Sequence, residues 1–374
     1  MISRERLQTR FLEMIQVSSP SKKEKGMVEW LERYFTERGI SFRTDEAGQG
    51  YGGNGKNLVA HIPGTLPGAP IGFMAHTDQI EPCDNIHAIV EGDIIRTDGT
   101  TTLGGDDKGG ITAILEAVED LLETKAPHRD LYLVFSCSEE ISMQGTKHMD
   151  LDMLPCKDLV VPDATGNTGV IAYKAPAMEA IRATFHGKKA HAGIEPEKGI
   201  NAIVAAAKAI SAMHIGRLSP ETTSNIGRIE GGDATNVVTD SVYFTAEVRS
   251  HSMDVLHDEV AYMEQCCRKA AEEMGATVDF CHELSYPTLN VPLDSNLVRM
   301  TVKAMEEEGV TPNCMIIGGG SDANILAGHG YRSVILGLGM RDVHTVDESL
   351  DMSEVLKCTK VMRRMMSMLE TDLL

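Results

Sequence analysis

Leu131-Tyr132-Leu133-Val134-Phe135-Ser136-Cys137-Ser138-Glu139-Glu140 is the stretch from which the rest of the chain can be read. Its first seven positions run without polar alternation. A strand with one wet face alternates, so a run like this must be covered on both faces, as in an α/β sheet flanked by helices. The run then ends on two adjacent carboxylates. In an open α/β sheet the carboxyl ends of the strands form the rim where ligands bind. The placement of Glu139 and Glu140 is therefore as informative as their type.

Working outward, Asn57 to Ile62 and Ile71 to Ala75 read as strands, and Leu159 to Val161 as a short one. Between them a helix follows Gly104-Gly105-Asp106-Asp107, with Ile111, Ile114, Leu115, Val118, Leu121 and Leu122 at helical spacing. Two amphipathic helices open the chain. One runs from about Arg4 to Gln16; the other follows Ser19-Pro20-Ser21 and stops at Gly39. The alternation predicts a mixed sheet flanked by helices. The middle reads differently. Strands are expected at Glu179 to His186, Ser224 to Ile229, Ser241 to Val248 and Ala276 to His282, with helices at Asn201 to Met213 and Met253 to Met274. That βαββαβ order is the ferredoxin-like pattern. It predicts an inserted α+β domain over 177–286, with 1–176 and 287–374 forming a discontinuous main domain. The first pattern then resumes with a helix at Asn296 to Glu308, the run Gly318-Gly319-Gly320, a strand at Ser333 to Leu336 and a helix from Ser353.

A length of 374 residues suits about two domains. The net charge of −20, from 55 acidic and 35 basic residues, argues against nucleic acid and anionic membrane as partners, since both need a basic face. No stretch approaches the roughly 18 apolar residues of a membrane span. The opening residues Met1 to Arg6 lack a signal peptide's apolar core, so a cytoplasmic location is expected. The eight cysteines include no Cys-x-x-Cys pair, which points to free thiols in a reducing compartment. Any bound metal must then be held by oxygen and nitrogen.

Five polar segments lie at strand ends or at turns into helices: His76-Thr77-Asp78, Asp106-Asp107, Glu139-Glu140, Asp163 and His344. Each is ordinary by itself. His-x-Asp is usually a surface pair, Asp-Asp before a helix an N-cap, and Glu-Glu a solvated helix start. Their common placement is the signal, because it brings five distant segments to one rim. Histidine and carboxylate donors without cysteine suit Zn²⁺, Co²⁺ or Mn²⁺. For a pair of ions, His76, Asp163, His344 and Glu140 serve as terminal ligands and Asp106 as the bridge. Glu139 is left to take a proton from a metal-activated water. Asp78, two residues beyond His76, is placed to accept the second imidazole N–H.

With these segments in view, the sequence resembles the M20 metallopeptidases, most closely the peptidase-T-like branch. The matching runs are Ala75-His76-Thr77-Asp78, Leu103 to Gly110, Ser138-Glu139-Glu140, Pro162 to Gly166, Gly187-Lys188-Lys189-Ala190-His191-Ala192-Gly193, Gly318-Gly319-Gly320-Ser321-Asp322-Ala323 and His344. The resemblance implies a zinc-peptidase-type catalytic domain with an inserted lid that often forms a homodimer. It implies two Zn²⁺ ions on the ligands above, Glu139 as general base and a cis peptide between Asp106 and Asp107. It also implies substrate contacts by His191, Asn236, Arg249, Gly319, Gly320 and Ser321. The expected activity is exopeptidase cleavage of small peptides, in the manner of an aminotripeptidase, through a hydroxide between the metals. One position departs from the pattern. Peptidase T has arginine before its Gly-Gly-Thr-Asp run, and Gly318 stands here. An amidohydrolase acting on N-acyl amino acids shares the same site chemistry. A catalytically silent binding homologue is disfavoured, because every ligand position and Glu139 are kept.

Overall fold

The strand Leu131–Ser136 lies well inside a large sheet, as its unbroken apolar run requires. A computed structural model describes residues 1–373. Leu131–Ser136 pairs in parallel with Ile71–His76, with Ser136 beside His76, and antiparallel with Leu58–Ile62. Ile71–His76 pairs in parallel with Asp158–Thr165, which pairs in parallel with Arg332–Arg341. These four parallel strands end on the same side. Shorter antiparallel strands extend the sheet: Ser41–Thr44 beyond Leu58–Ile62, and Ser349–Asp351, Ile94–Thr97 and Ala88–Glu91 beyond Arg332–Arg341.

The chain divides into two compact units. The first comprises Met1–Lys174, Asn290–Ile317 and the chain from Ser321 onward; the second comprises Ala175–Leu289 with Gly318–Gly320. In the first, helix Gly105–Thr124 packs on Ile71–His76 and against helices Arg4–Met14 and Met352–Ser367. Helix Lys25–Glu37 sends Phe35 to within 5.8 Å of the Phe135 ring, centroid to centroid. Phe11, Phe35, Phe73 and Phe135 are all fully buried. Each such side chain contributes roughly 1.5–3 kcal/mol relative to exposure.

The second unit is a five-stranded antiparallel sheet in the order Gly216–Ser219, Thr222–Gly231, Ser241–Ser250, Ala177–His186, Thr277–Tyr286. Along Ala177–His186 alternate side chains are buried, at Ala177, Glu179, Ile181, Ala183 and Phe185. The apolar ones join Phe244, Val242 and Val248 in a core covered by helices Ala202–Ala212 and Met253–Met274. Leaving aside the extra edge strand Gly216–Ser219, this is the ferredoxin-like arrangement. Asn201 caps the first of these helices, accepting from the N–H groups of Ile203 and Val204.

The expected boundaries placed 287–374 wholly with the main domain. Gly318–Gly320 instead sits with the second unit. Arg249 Nη1 donates to the Gly318 carbonyl at 3.4 Å. Gly320 lies so close to Tyr286 that a Cβ there would fall 2.5 Å from the ring, so a larger residue would have to displace it. Among the described residues no helix is long and apolar enough to cross a membrane, and the eight cysteines are free.

Candidate metal centre and active site

His76 closes the strand Ile71–His76 and is 2% exposed. Across the rim, Asp106 and Asp107 are joined by a cis peptide and both have non-helical backbone angles, so the regular helix starts beyond them. The two aspartates divide their work. Asp107 Oδ1 accepts from Gly110 N at 3.1 Å and so caps the helix. Asp106 turns to the histidines instead. Its Oδ1 lies 2.9 Å from His76 Nε2, and its Oδ2 lies 3.2 Å from His344 Nε2. Asp163 Oδ1 stands 3.7 Å from His76 Nε2, and Glu140 Oε2 stands 3.0 Å from His344 Nε2. Asp106 thus approaches both histidines, and ligand atoms of His76, Asp106 and Glu140 fall within 4.8 Å of one another. Asp107 also stands near: ligand atoms of His76, Asp107 and Asp163 all fall within 4.8 Å of one another.

After the strand Leu131–Ser136 the chain turns at Ser138, at φ 52°. Two consecutive glutamates are thereby held by one carboxylate. Asp78 Oδ1 accepts from Glu139 N at 2.9 Å, and Asp78 Oδ2 from Glu140 N at 3.1 Å and from Ser21 Oγ at 2.7 Å. This refines the expectation for Asp78. His76 Nδ1 lies 3.1 Å from the Asp78 backbone carbonyl and 3.4 Å from its carboxylate, which also receives the main chain of the two glutamates. Glu139 is 9% exposed and faces the fields of His76, Asp163, Asp322 and Glu140.

Two supporting groups were not singled out from the sequence. The segment linking the first two helices backs the site. Lys108 Nζ donates to Val17 O at 2.9 Å and to Gln79 Oε1 at 2.8 Å. Ser21 holds Asp78, while Ser138 accepts from Lys22 N at 3.0 Å and donates to Glu24. The second group is Glu348, whose carboxylate receives three backbone N–H groups from the turn before Asp106. No local pattern announces either, since each bond joins segments far apart in sequence.

Electrostatics describe a crowded acidic pocket. Burial, then neighbouring acids, pushes Glu139 well above the usual carboxylate range; the same holds for Asp163 and Asp107. Asp106 is held below that range: burial opposes this, and His344 and His76 outweigh it. His344 is raised to about 10 by its bonds to Asp106 and Glu140. Glu140 Oε1 is buried without a hydrogen-bond partner. Clustered carboxylates, two imidazoles and an unpartnered oxygen are donors suited to divalent cations.

In the second unit, His191 pairs with Val237 as an isolated bridge and Ala192 N donates to Asn236 O at 2.9 Å, so His191 and Asn236 lie on adjoining segments. The Nε and Nη2 edge of Arg249 is engaged by Glu247 at 2.9 and 3.2 Å, leaving Nη1 toward Gly318. Ser321, expected at the substrate, is 4% exposed and caps helix Asp322–Gly328, its hydroxyl accepting from Ala323 N at 3.2 Å. Gly319 has open space around its Cβ position.

The family model for Peptidase family M20/M25/M40 matches residues 72–368. An uncharacterized protein, YqjE of Bacillus subtilis (strain 168), is 36% identical over 96% of this chain and 97% of its own length. Aminopeptidase PepT from Bacillus cereus ATCC 10987 superposes with a TM-score of 0.92 at 36% identity, covering 98% of both chains. A tripeptidase from Staphylococcus aureus Mu50 superposes with a TM-score of 0.95 at 33% identity, again over 98% of both. The chain belongs to peptidase family M20/M25/M40 and is a metal-dependent peptidase.

Proposed function

We propose that this peptidase binds two divalent cations, zinc in the first instance with cobalt or manganese as substitutes, and removes residues from small peptides as an aminotripeptidase-like exopeptidase. The observation that carries the reading is the Asp106 carboxylate, with one oxygen 2.9 Å from His76 and the other 3.2 Å from His344. His76, Asp106 and Asp163 would hold one ion, and Asp106, Glu140 and His344 the other. Ions held there would supply Lewis-acid chemistry, activating a water and polarising the scissile carbonyl.

Glu139 would be placed to accept a proton from the attacking water and to return it to the leaving amine. It lies outside both ligand groups, is nearly buried, and sits where proton affinity is raised, as a general base requires. Asp78 fixes its main chain. His191 and Asn236 are assigned as donors to the developing oxyanion, supported by their adjoining backbone segments. Arg249 is assigned to a substrate carboxylate through its Nη1 side. The aminopeptidase and tripeptidase names of two relatives above 30% identity favour cleavage from the amino end of short peptides. The eight free cysteines accord with work in the cytoplasm. Exposed Ile203, Val204 and Val255 on the helices of the second unit favour a homodimer through that unit.

Elemental analysis with a panel of tripeptides, dipeptides and N-acyl amino acids tests the reading. Two ions per chain with tripeptides as preferred substrates is the expected result. Preference for N-acyl amino acids, or fewer than two ions, would overturn it.

A further inference from the structure

Glu348 lies four residues after His344, between the strands Arg332–Arg341 and Ser349–Asp351, and is 2% exposed. Its carboxylate reaches across to the turn that carries Asp106. Oε2 accepts from Leu103 N at 2.7 Å and Gly104 N at 3.0 Å, and Oε1 from Asp106 N at 3.0 Å. Three backbone N–H groups thus converge on one buried carboxylate. The turn is shaped to admit the carboxylate. Gly104 adopts φ 80°, and a Cβ on Gly105 would lie 3.0 Å from Glu348 Oε1. Gly105 therefore has a physical reason tied to Glu348, whereas at Gly104 a Cβ would meet the Gln79 side chain at 2.7 Å. Meanwhile His344, on the same loop as Glu348, faces Asp106 Oδ2 and Glu140 Oε2.

We propose that Glu348 is a positioning residue that locks the His344 loop to the Asp106 turn, so that Asp106 can serve the cation position at His344 and Glu140 as well as the one at His76. The proposal rests on the two-cation reading above. It differs from a general stabilising role in being selective. The position built from His76, Asp106 and Asp163 depends on the main sheet for two of its groups, whereas the other depends on how the His344 loop meets the turn. Loss of Glu348 separates the two.

The test uses the full chain stripped of metal and titrated with Co²⁺, with bound equivalents counted by elemental analysis and by visible absorption. His344→Ala is the reference for losing the second equivalent. Glu348→Gln places an amide N–H₂ against backbone donors, and Glu348→Asp keeps the charge but shortens the reach. Both should hold the first equivalent within about threefold of the parent, bind the second at least about tenfold more weakly, and change the cobalt spectrum. Glu354→Gln is the control. Glu354 is a buried carboxylate accepting from Thr168 N at 2.8 Å and from Lys357 Nζ at 2.6 Å, away from the turn, and its change should leave both equivalents in place. The proposal is overturned if folded Glu348 variants bind both equivalents like the parent, or if both equivalents weaken together. It is equally overturned if neither variant folds, since Glu348 is then a requirement of the fold. A parent chain that binds fewer than two ions, or a His344→Ala variant that keeps both, instead rejects the two-cation reading.

Discussion

Replacing Asp78 by asparagine tests how the site is held together. Asp78 is fully buried, and its two oxygens receive Glu139 N at 2.9 Å, Glu140 N at 3.1 Å and Ser21 Oγ at 2.7 Å. Its carboxyl is held below its usual range: burial works against this, and His76, Ser21 and the Glu139 N–H outweigh it. Asparagine offers one acceptor oxygen and one N–H₂. If the oxygen keeps Glu139, the amide can donate to Ser21, but the Glu140 N–H is left facing a donor. A buried donor without a partner costs about 1–3 kcal/mol, and the weakened charge-assisted bonds bring the total to about 2–4 kcal/mol. The metal-free protein should melt about 4–8 °C lower. The His76 ring keeps its bond to the Asp78 carbonyl, so histidine orientation survives while the glutamates loosen. At saturating metal, kcat/KM on a tripeptide should fall about 10- to 100-fold. Melting by calorimetry and steady-state kinetics read the two effects. A variant within twofold of the parent kinetically, with an unchanged melt, would refute the claim that Asp78 sets the glutamates.

Three further outcomes are expected. Glu139→Gln should retain its metal content and lose about two to four powers of ten in kcat; near-normal turnover would remove Glu139 from the proton path. Gly110→Ala would put a Cβ 2.3 Å from Asp107 Oδ1 and break the cap, costing about 2–4 kcal/mol in denaturant unfolding; an unaltered midpoint would contradict the packing at that turn. The unloaded His344, raised to about 10, carries a proton at neutral pH that a cation must displace. Metal binding should therefore release protons, and affinity should drop as pH is lowered through neutrality, by about tenfold per unit for each proton released. Titration calorimetry in buffers of different ionisation enthalpy checks this, and buffer-independent heats would count against it.

Much of this architecture was legible wherever burial follows from local pattern. The unbroken run from Leu131 predicted a covered strand, and Leu131–Ser136 lies inside the large sheet. Apolar spacing predicted the helix that ends at Thr124, and Met253 to Met274 matches its predicted limits. Short elements were missed. The hairpin Ala88–Glu91 and Ile94–Thr97 has only four residues per strand, and Asn313–Ile316 is a short strand whose residues are mostly exposed. Asp158–Thr165 extends past the expected Val161 because pairing with Arg332–Arg341 carries it on through the polar Asp163. At the site, residue type and position at strand ends sufficed to nominate His76, Asp106, Glu140, Asp163 and His344, which the fold brings together. The residues behind them were not legible. Glu348 meets Leu103 across 245 positions, and Glu24 meets Ser138 across 114. Such bonds depend on how the loops pack, which no local periodicity encodes.

Anomalous X-ray scattering from metal-loaded crystals, recorded on both sides of the absorption edge of the ion taken up, addresses the shared carboxylate directly. Two peaks about 3.5–4 Å apart, one against each oxygen of Asp106, are predicted. One peak alone, or a pair that leaves Asp106 untouched, would contradict it.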